Sequence, residues 1–161
     1  EVTNTSLDAS PDARSTGRVM AGSVNVARVS EDGAPIAAPN WSQSFNLTIR
    51  NNLREKGDLT QVPIVDIGAG DQVVEAELST YFGSKTLMDK LLAGSPSALS
   101  SIIAKDGQAV VIQLPRATKM GGAASASGKN QDVMLPLRVK ASKDTTTGAQ
   151  VLFDRLEYYE A

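Results

Sequence analysis

The sequence predicts a mainly β fold, an antiparallel β-sandwich or barrel-like unit with one flanking α-helix at about residues 84–93. Three observations carry the prediction. Runs with an apolar residue at every second position recur along the chain. Asp-Gly pairs and Gly- or Pro-containing stretches separate them. A single segment combines helical apolar spacing with a closing glycine.

Taken in order, residues 1–17 are polar, contain Pro11 and Gly17 and show no periodicity, which predicts a flexible arm or linker. Residues 18–161 then form one folded domain. RVMAGSVNVARV places Val19, Val24, Val26 and Val29 in a first strand, and Asp32-Gly33 with Pro35 turns the chain. In WSQSFNLTIR, Phe45, Leu47 and Ile49 fall on one side and Ser44, Asn46, Thr48 and Arg50 on the other, the pattern of a half-buried strand. Residues 51–71 interrupt this alternation and are read as a long loop, a length that marks functional or disordered segments.

VEAELSTYFGSKTLMDKLLAGSPSALS joins a strand to the helix. Val74, Ala76, Leu78, Thr80 and Phe82 alternate with Val73, Glu75, Glu77, Ser79 and Tyr81. Ser84 is the expected N-cap, Leu87, Met88, Leu91 and Leu92 the apolar side, and Gly94 the stop. Two further strands meet at Asp106-Gly107, a hairpin signal, with Val110, Ile112 and Leu114 sharing a face. Residues 121–130 read as loop. DVMLPLRVKAS turns Val133, Leu135, Leu137, Val139 and Ala141 inward, and Pro136 predicts an edge or an irregularity. After the KDTTTGA turn, QVLFDRLEYY closes the fold. This makes about seven strands to one helix.

A chain of 161 residues is long enough for one core but not for two independent domains. With 16 basic and 18 acidic residues it has no global basic field for wrapping nucleic acid. Cysteine and histidine are both absent. That removes disulfides, thiolate nucleophiles, most zinc chemistry and the commonest general base. No apolar run approaches the ~20 residues that span a bilayer, and the amino terminus has no signal-peptide segment, so the expectation is a soluble chain with no membrane partner. The first residue is Glu1, not Met, which leaves open a processed chain or the later part of a longer one.

Candidate chemistry is sparse. Glu75 and Glu77 share a strand face, as paired carboxylates for acid and base work would, but a spacing of two is what any exposed strand face gives. Gly68–Gln72, GAGDQ, lacks the Lys-Ser or Lys-Thr and the helix of a phosphate loop and reads as a turn. Asp144 and the threonines after it lack EF-hand spacing. Arg50, Arg54, Lys56, Arg116, Lys119 and Lys129 lie near loop boundaries without the interleaved aromatics of a single-strand binder. Mixed charge in a long loop fits salt bridges across a protein interface better. No catalytic, cofactor-binding or metal-binding residue is assigned.

The segments FNLTIRNNLREKGDL, VEAELSTYFGSKTLMDKLLAG, IQLPRATKMGG and KNQDVMLPLRVKASKDTTTGAQVLFDR, in this order, resemble the tail tube (major tail) proteins of long-tailed, non-contractile bacteriophages. NNLR at 51–54, YF at 81–82, LPR at 114–116 and QDVM at 131–134 with the TTG turn carry the resemblance over residues 45–155. It implies a β-sandwich or barrel-like unit in sixfold or pseudo-sixfold rings, stacked into a hollow tube that conducts DNA into the host without specific binding. The tail terminator, tape measure and distal tail proteins would be partners besides the chain itself, with assembly in the host bacterial cytoplasm, a place in the virion, and no cofactor. The loop bearing Asn51, Asn52, Leu53, Arg54, Lys56 and Asp58 would form ring or subunit contacts, and residues 121–130 an interface element. Glu75 and Glu77 would line the lumen or a subunit seam, on a face expected to be neutral or weakly negative, since rows of cations would hold DNA. Two tube domains in one chain would make three subunits imitate six. The rival readings are a carbohydrate-binding or adhesion module using Trp41, Tyr81, Tyr158 or Tyr159, a hydrolase using Glu75, Glu77 or Asp66, and a secretion-type tube.

Overall fold

The computed structural model describes residues 25–58 and 61–158. The predicted arm at 1–17, the start of the first strand with Val19 and Val24, and Tyr159 lie outside them. Among the described residues eleven strands and a short helix follow one another: β1 (Val26–Glu31), β2 (Ala34–Pro35), β3 (Ser42–Arg50), β4 (Arg54–Asp58), β5 (Gln61–Gly68), β6 (Val73–Tyr81), α1 (Thr86–Ala93), β7 (Ser97–Lys105), β8 (Gln108–Gly121), β9 (Ser125–Ala126), β10 (Val133–Ala141) and β11 (Leu152–Leu156). The mainly β, antiparallel fold with one flanking helix is as the alternation predicts. The excess over seven strands comes from two-residue pieces and from β4 and β5.

Nine strands form one antiparallel sheet in the order β2-β1-β7-β8-β10-β6-β3, with β11 on β8 and β9 on β10. The long strand β8 divides it. One edge of β8 pairs with β7, while the other takes β11 along Ala109–Gln113 and β10 along Ala117–Gly121. Pro115 sits at the changeover, where a missing N–H does not interrupt either ladder. The two arms of the sheet turn their apolar sides to one core. Leu99 and Leu114 come from one arm and Val74, Ala76, Leu78, Leu135, Leu137 and Val139 from the other.

The alternation of β6 and β10 is realised almost residue for residue. Val74, Ala76, Leu78 and Thr80 are buried while Glu75 and Glu77 are exposed, and Leu135, Leu137, Val139 and Ala141 are buried against them. Val133, expected inward, is exposed because it lies at the strand's start, beyond the core. Pro136 lies in a central strand. The Val133 carbonyl accepts the Phe82 N–H, so odd positions of β10 point their backbone groups at β6 and even ones away. The N–H that Pro136 lacks therefore faces the break between β9 and β8, where Gly122 approaches so closely that a Cβ would lie 2.5 Å from the Pro136 carbonyl oxygen.

Both Asp-Gly pairs form tight turns with positive φ at each residue, 51° and 81° at Asp32-Gly33 and 52° and 75° at Asp106-Gly107. Helix α1 packs Leu87, Met88 and Leu91 on the core. Leu92 is 77% exposed, off the predicted apolar side. Gly94 closes the helix with φ 61° and donates to the Leu91 carbonyl at 3.1 Å. Its N-cap is Lys85, not Ser84, and no side chain caps it. Ser84 is occupied elsewhere: Asn40 Oδ1 accepts the N–H groups of Gly83 and Ser84 at 2.9 and 2.7 Å, and Asn40 Nδ2 donates to Ser84 Oγ at 2.7 Å. Asn40 thus fixes how β6 hands over to the helix.

Candidate functional site

Residues 51–71, expected as a long loop, fold into a β-ribbon. Among the described residues β4 and β5 pair only with each other, as a second sheet, with Arg54 opposite Gly68, Glu55 opposite Ile67 and Lys56 opposite Asp66. The ribbon leaves the main sheet where β3 ends and β6 begins. Its base is tied by Asn52 Nδ2 to the Asp71 carbonyl at 2.8 Å and by Gln72 Nε2 to Asn51 Oδ1 at 3.2 Å, with Asn52 at φ 44°. Arg54 Nη2 donates to the Ala69 carbonyl at 3.4 Å. A Cβ on Gly70 would lie 2.0 Å from the Asn52 carbonyl oxygen, so GAGDQ is a turn whose glycine lets two backbones meet. One side of the ribbon carries the Lys56–Asp66 ion pair at 2.6 Å. Leu53 and Ile67 are exposed at 63% and 59%. Asp58 pairs with Gln61 at the far end.

Glu75 and Glu77 stand on the outward face of β6, each between two neighbouring strands. Thr48 and Lys140 flank Glu75, and Asn46 and Arg138 flank Glu77. Arg50 Nη1 is 3.6 Å from Glu75 Oε2, and Arg138 Nε is 4.0 Å from Glu77 Oε1. Both pairs are solvated, so they contribute little to stability. The face is not the neutral or acidic one expected. Arg50, Arg138 and Lys140 outnumber the two carboxylates, because the cations sit on β3 and β10, which only the folded register brings beside β6.

The basic residues that sequence places near loops do not make one patch. Arg50 and Lys56 have carboxylate partners, and Lys119 is buried. Its Nζ lies against Glu31 Oε1 and donates to Ser97 Oγ at 3.1 Å, while Ser97 donates to the same Glu31 oxygen at 2.8 Å. Lys90 of α1 reaches Glu31 Oε2 at 3.2 Å and Asp32 Oδ2 at 2.8 Å. Asp32 Oδ1 also accepts the Ala98 N–H at 2.8 Å. The cluster locks the β1–β2 turn, α1, β7 and β8 together. Burial pushes the Glu31 carboxyl up, but hydrogen bonds from Lys119 and Ser97 and the charges of both lysines outweigh it and hold it below the usual value. The hydrogen bond from Lys90 holds Asp32 low. Burial pulls Lys90 down, and its two carboxylate partners more than reverse that.

Asp144 shapes a turn. Its Oδ2 accepts the N–H groups of Thr146 and Thr147 and the Thr147 hydroxyl, and the backbone bond from Thr147 leads in lowering its pKa. At the other end of β6, the Tyr81 N–H donates to the Trp41 carbonyl at 3.0 Å. The two rings meet edge to face, with centroids 6.4 Å apart and planes at 84°. Among the described residues no helix is long and apolar enough to cross a membrane.

A mainly β subunit with open strand edges and a projecting ribbon is the kind of chain that builds assemblies. The family model for the phage tail tube protein matches residues 1–141, and the chain belongs to that family. The family is one of structural phage tail proteins, which gives the chain a structural role in the tail tube and a place in the virion. No curated protein sequence matches the chain. Strand β11 lies beyond the matched residues.

Proposed function

We propose that the chain polymerises into stacked sixfold or pseudo-sixfold rings that form the tube of a non-contractile phage tail, the conduit for DNA ejection. Residues 18–161 act as the tube domain. The observation that carries this reading is the edge of β3, which no further strand pairs among the described residues. Tyr81 bonds to Trp41, so odd positions of β6 point their backbone groups at β3, and Ser44, Asn46, Thr48 and Arg50 pair with them. The backbone groups of Phe45, Leu47 and Ile49 face away from β6, on an edge that ends the sheet order. A neighbouring subunit's strand pairs there, and a rotation that closes the ring removes the free edges.

The ribbon with Asn51, Asn52, Leu53, Arg54, Lys56 and Asp58 forms the ring-to-ring contact. The face with Glu75 and Glu77 lines the lumen or a subunit seam. DNA passes without specific binding because Glu75 and Glu77 lie beside Arg50 and Arg138 and offset two of the three cations of that face. Tail terminator, tape measure and distal tail proteins meet the tube at its ends, after assembly in the host cytoplasm. Solution mass measured over a concentration series, with negative-stain images of the same samples, tests the reading. Rings and hollow tubes appearing as concentration rises are expected, and a particle that stays monomeric throughout contradicts it.

A further inference from the structure

The outward face of the β3–β6–β10 layer changes character along its strands. At the Arg50–Val73 end it is charged and continues into the ribbon. At the opposite end, about 27 Å away at the rise of an antiparallel strand, it is apolar. Trp41 is 58% exposed there, Tyr81 packs against it, and Met134 stands opposite Tyr81 in the β10 register. This end is held rigid by the Trp41–Tyr81 backbone bond and by Asn40 on the following turn.

The ribbon carries the complementary surface. Leu53 and Ile67 are both largely exposed, and a two-stranded ribbon, which among the described residues has no other sheet partner, is marginal in water until something covers it. We propose that the Trp41–Tyr81–Met134 end of one copy is the seat for the Leu53 and Ile67 side of the ribbon of a second copy stacked on it. This rests on the ring-to-ring role given to the ribbon above.

Three features of the chain support that occupant. Seat and ribbon lie at opposite ends of one sheet, so one copy's ribbon on the next copy's seat is a head-to-tail contact, the kind that makes a filament when its rotation does not close a ring. The charges agree in part: Glu55 lies opposite Ile67 on the ribbon, and Lys85, its side chain 83% exposed and 3.5 Å from Asp89 in a solvated pair, follows Tyr81 by four residues. The rings stand edge to face, so one ring covers part of the other's stacking surface, an arrangement suited to aliphatic side chains and poorly suited to a flat sugar.

The chain has no cysteine, so introduced thiols are the only ones present. Tubes of an Ile67→Cys, Met134→Cys double variant, oxidised and run on a non-reducing gel, should give a ladder of covalent multimers. Either single variant should give none. Tubes without a ladder, or an equal ladder from Ile67→Cys with Phe153→Cys, would overturn the proposal. A second measurement uses uncrosslinked chains. Trp41→Ala with Met134→Ala should raise the concentration at which tubes appear about tenfold or more, as should Leu53→Ala with Ile67→Ala. If the ribbon pair matters and the seat pair does not, the seat is wrong and the ribbon's role stands. If neither matters, the ribbon's role itself is wrong.

Discussion

Lys119 Nζ rests against the Glu31 carboxylate inside the protein, the two side chains 3% and 7% exposed and 88 residues apart in sequence. Burying both charges costs solvation that their attraction only partly returns, so the pair is better evidence for fixed geometry than for net stability. Removing one partner is different, because it strands the other charge. Lys119→Met leaves Glu31 with Lys90, whereas Glu31→Gln takes from Lys119 the one carboxylate it contacts among the described residues. Glu31→Gln should therefore cost the more, about 3 kcal/mol or above, read as a fall in the urea midpoint. A Glu31→Leu, Lys119→Met double variant should recover most of the loss. Singles indistinguishable from the parent chain would contradict this account.

The same cluster sets a pH window. Glu31 and Asp32 have folded pKa values below their ordinary 4.5 and 3.8, so their contribution is complete above those values and is lost as pH falls through the lower folded ones. Lys90 is raised above 10.5, so its contribution is complete below that pH and is lost as pH rises through its higher folded value. Thermal stability of the unassembled chain should stay level between these limits and fall at both ends. In Glu31→Gln with Asp32→Asn, the acid fall should shrink. An unchanged acid limb would place the responsible groups elsewhere.

Leu91 packs against the core from α1. Leu91→Asp would set a charge at a half-buried contact with the core, at a cost of about 1–3 kcal/mol, and should weaken the subunit and with it any assembly. Leu92→Asp, one residue on but exposed, should leave both nearly unchanged. Normal assembly of Leu91→Asp would remove the helix from the structural account.

On the outward face of β6, Glu75→Gln with Glu77→Gln would leave Arg50, Arg138 and Lys140 without their carboxylates. If this face lines the lumen, tubes of the variant should retain DNA that parent tubes release, with a steep loss of retention as salt rises. Equal DNA retention by both would move these residues out of the lumen.

The parts of this fold that were legible in sequence are those with one wet and one dry face. Val74, Ala76, Leu78 and Thr80 alternate with polar residues because β6 covers a core, and the Asp-Gly pairs declare their turns because few residues adopt positive φ. The β4–β5 ribbon pairs with no other strand among the described residues, and Gly57, Pro63 and Gly68 make it look like loop. Lys119 reads as a surface cation because its partner is 88 residues away. Asn40 gives no signal at all for bonding across 44 residues to Ser84, and with Ser84 engaged the helix starts one residue later than its composition suggests. Glu75 and Glu77 were recognisable as a shared face, but the three cations beside them were not.

The central claim, a tube built by head-to-tail stacking of this subunit, is tested most directly by a helical reconstruction of the tubes that the chain forms. The account predicts rings with a hollow centre, β3 edges paired between neighbours, Glu75 and Glu77 facing the lumen or a subunit seam, and each ribbon crossing to the next ring. A map with both carboxylates on the outer surface, and the ribbons folded back on their own subunit, would contradict it.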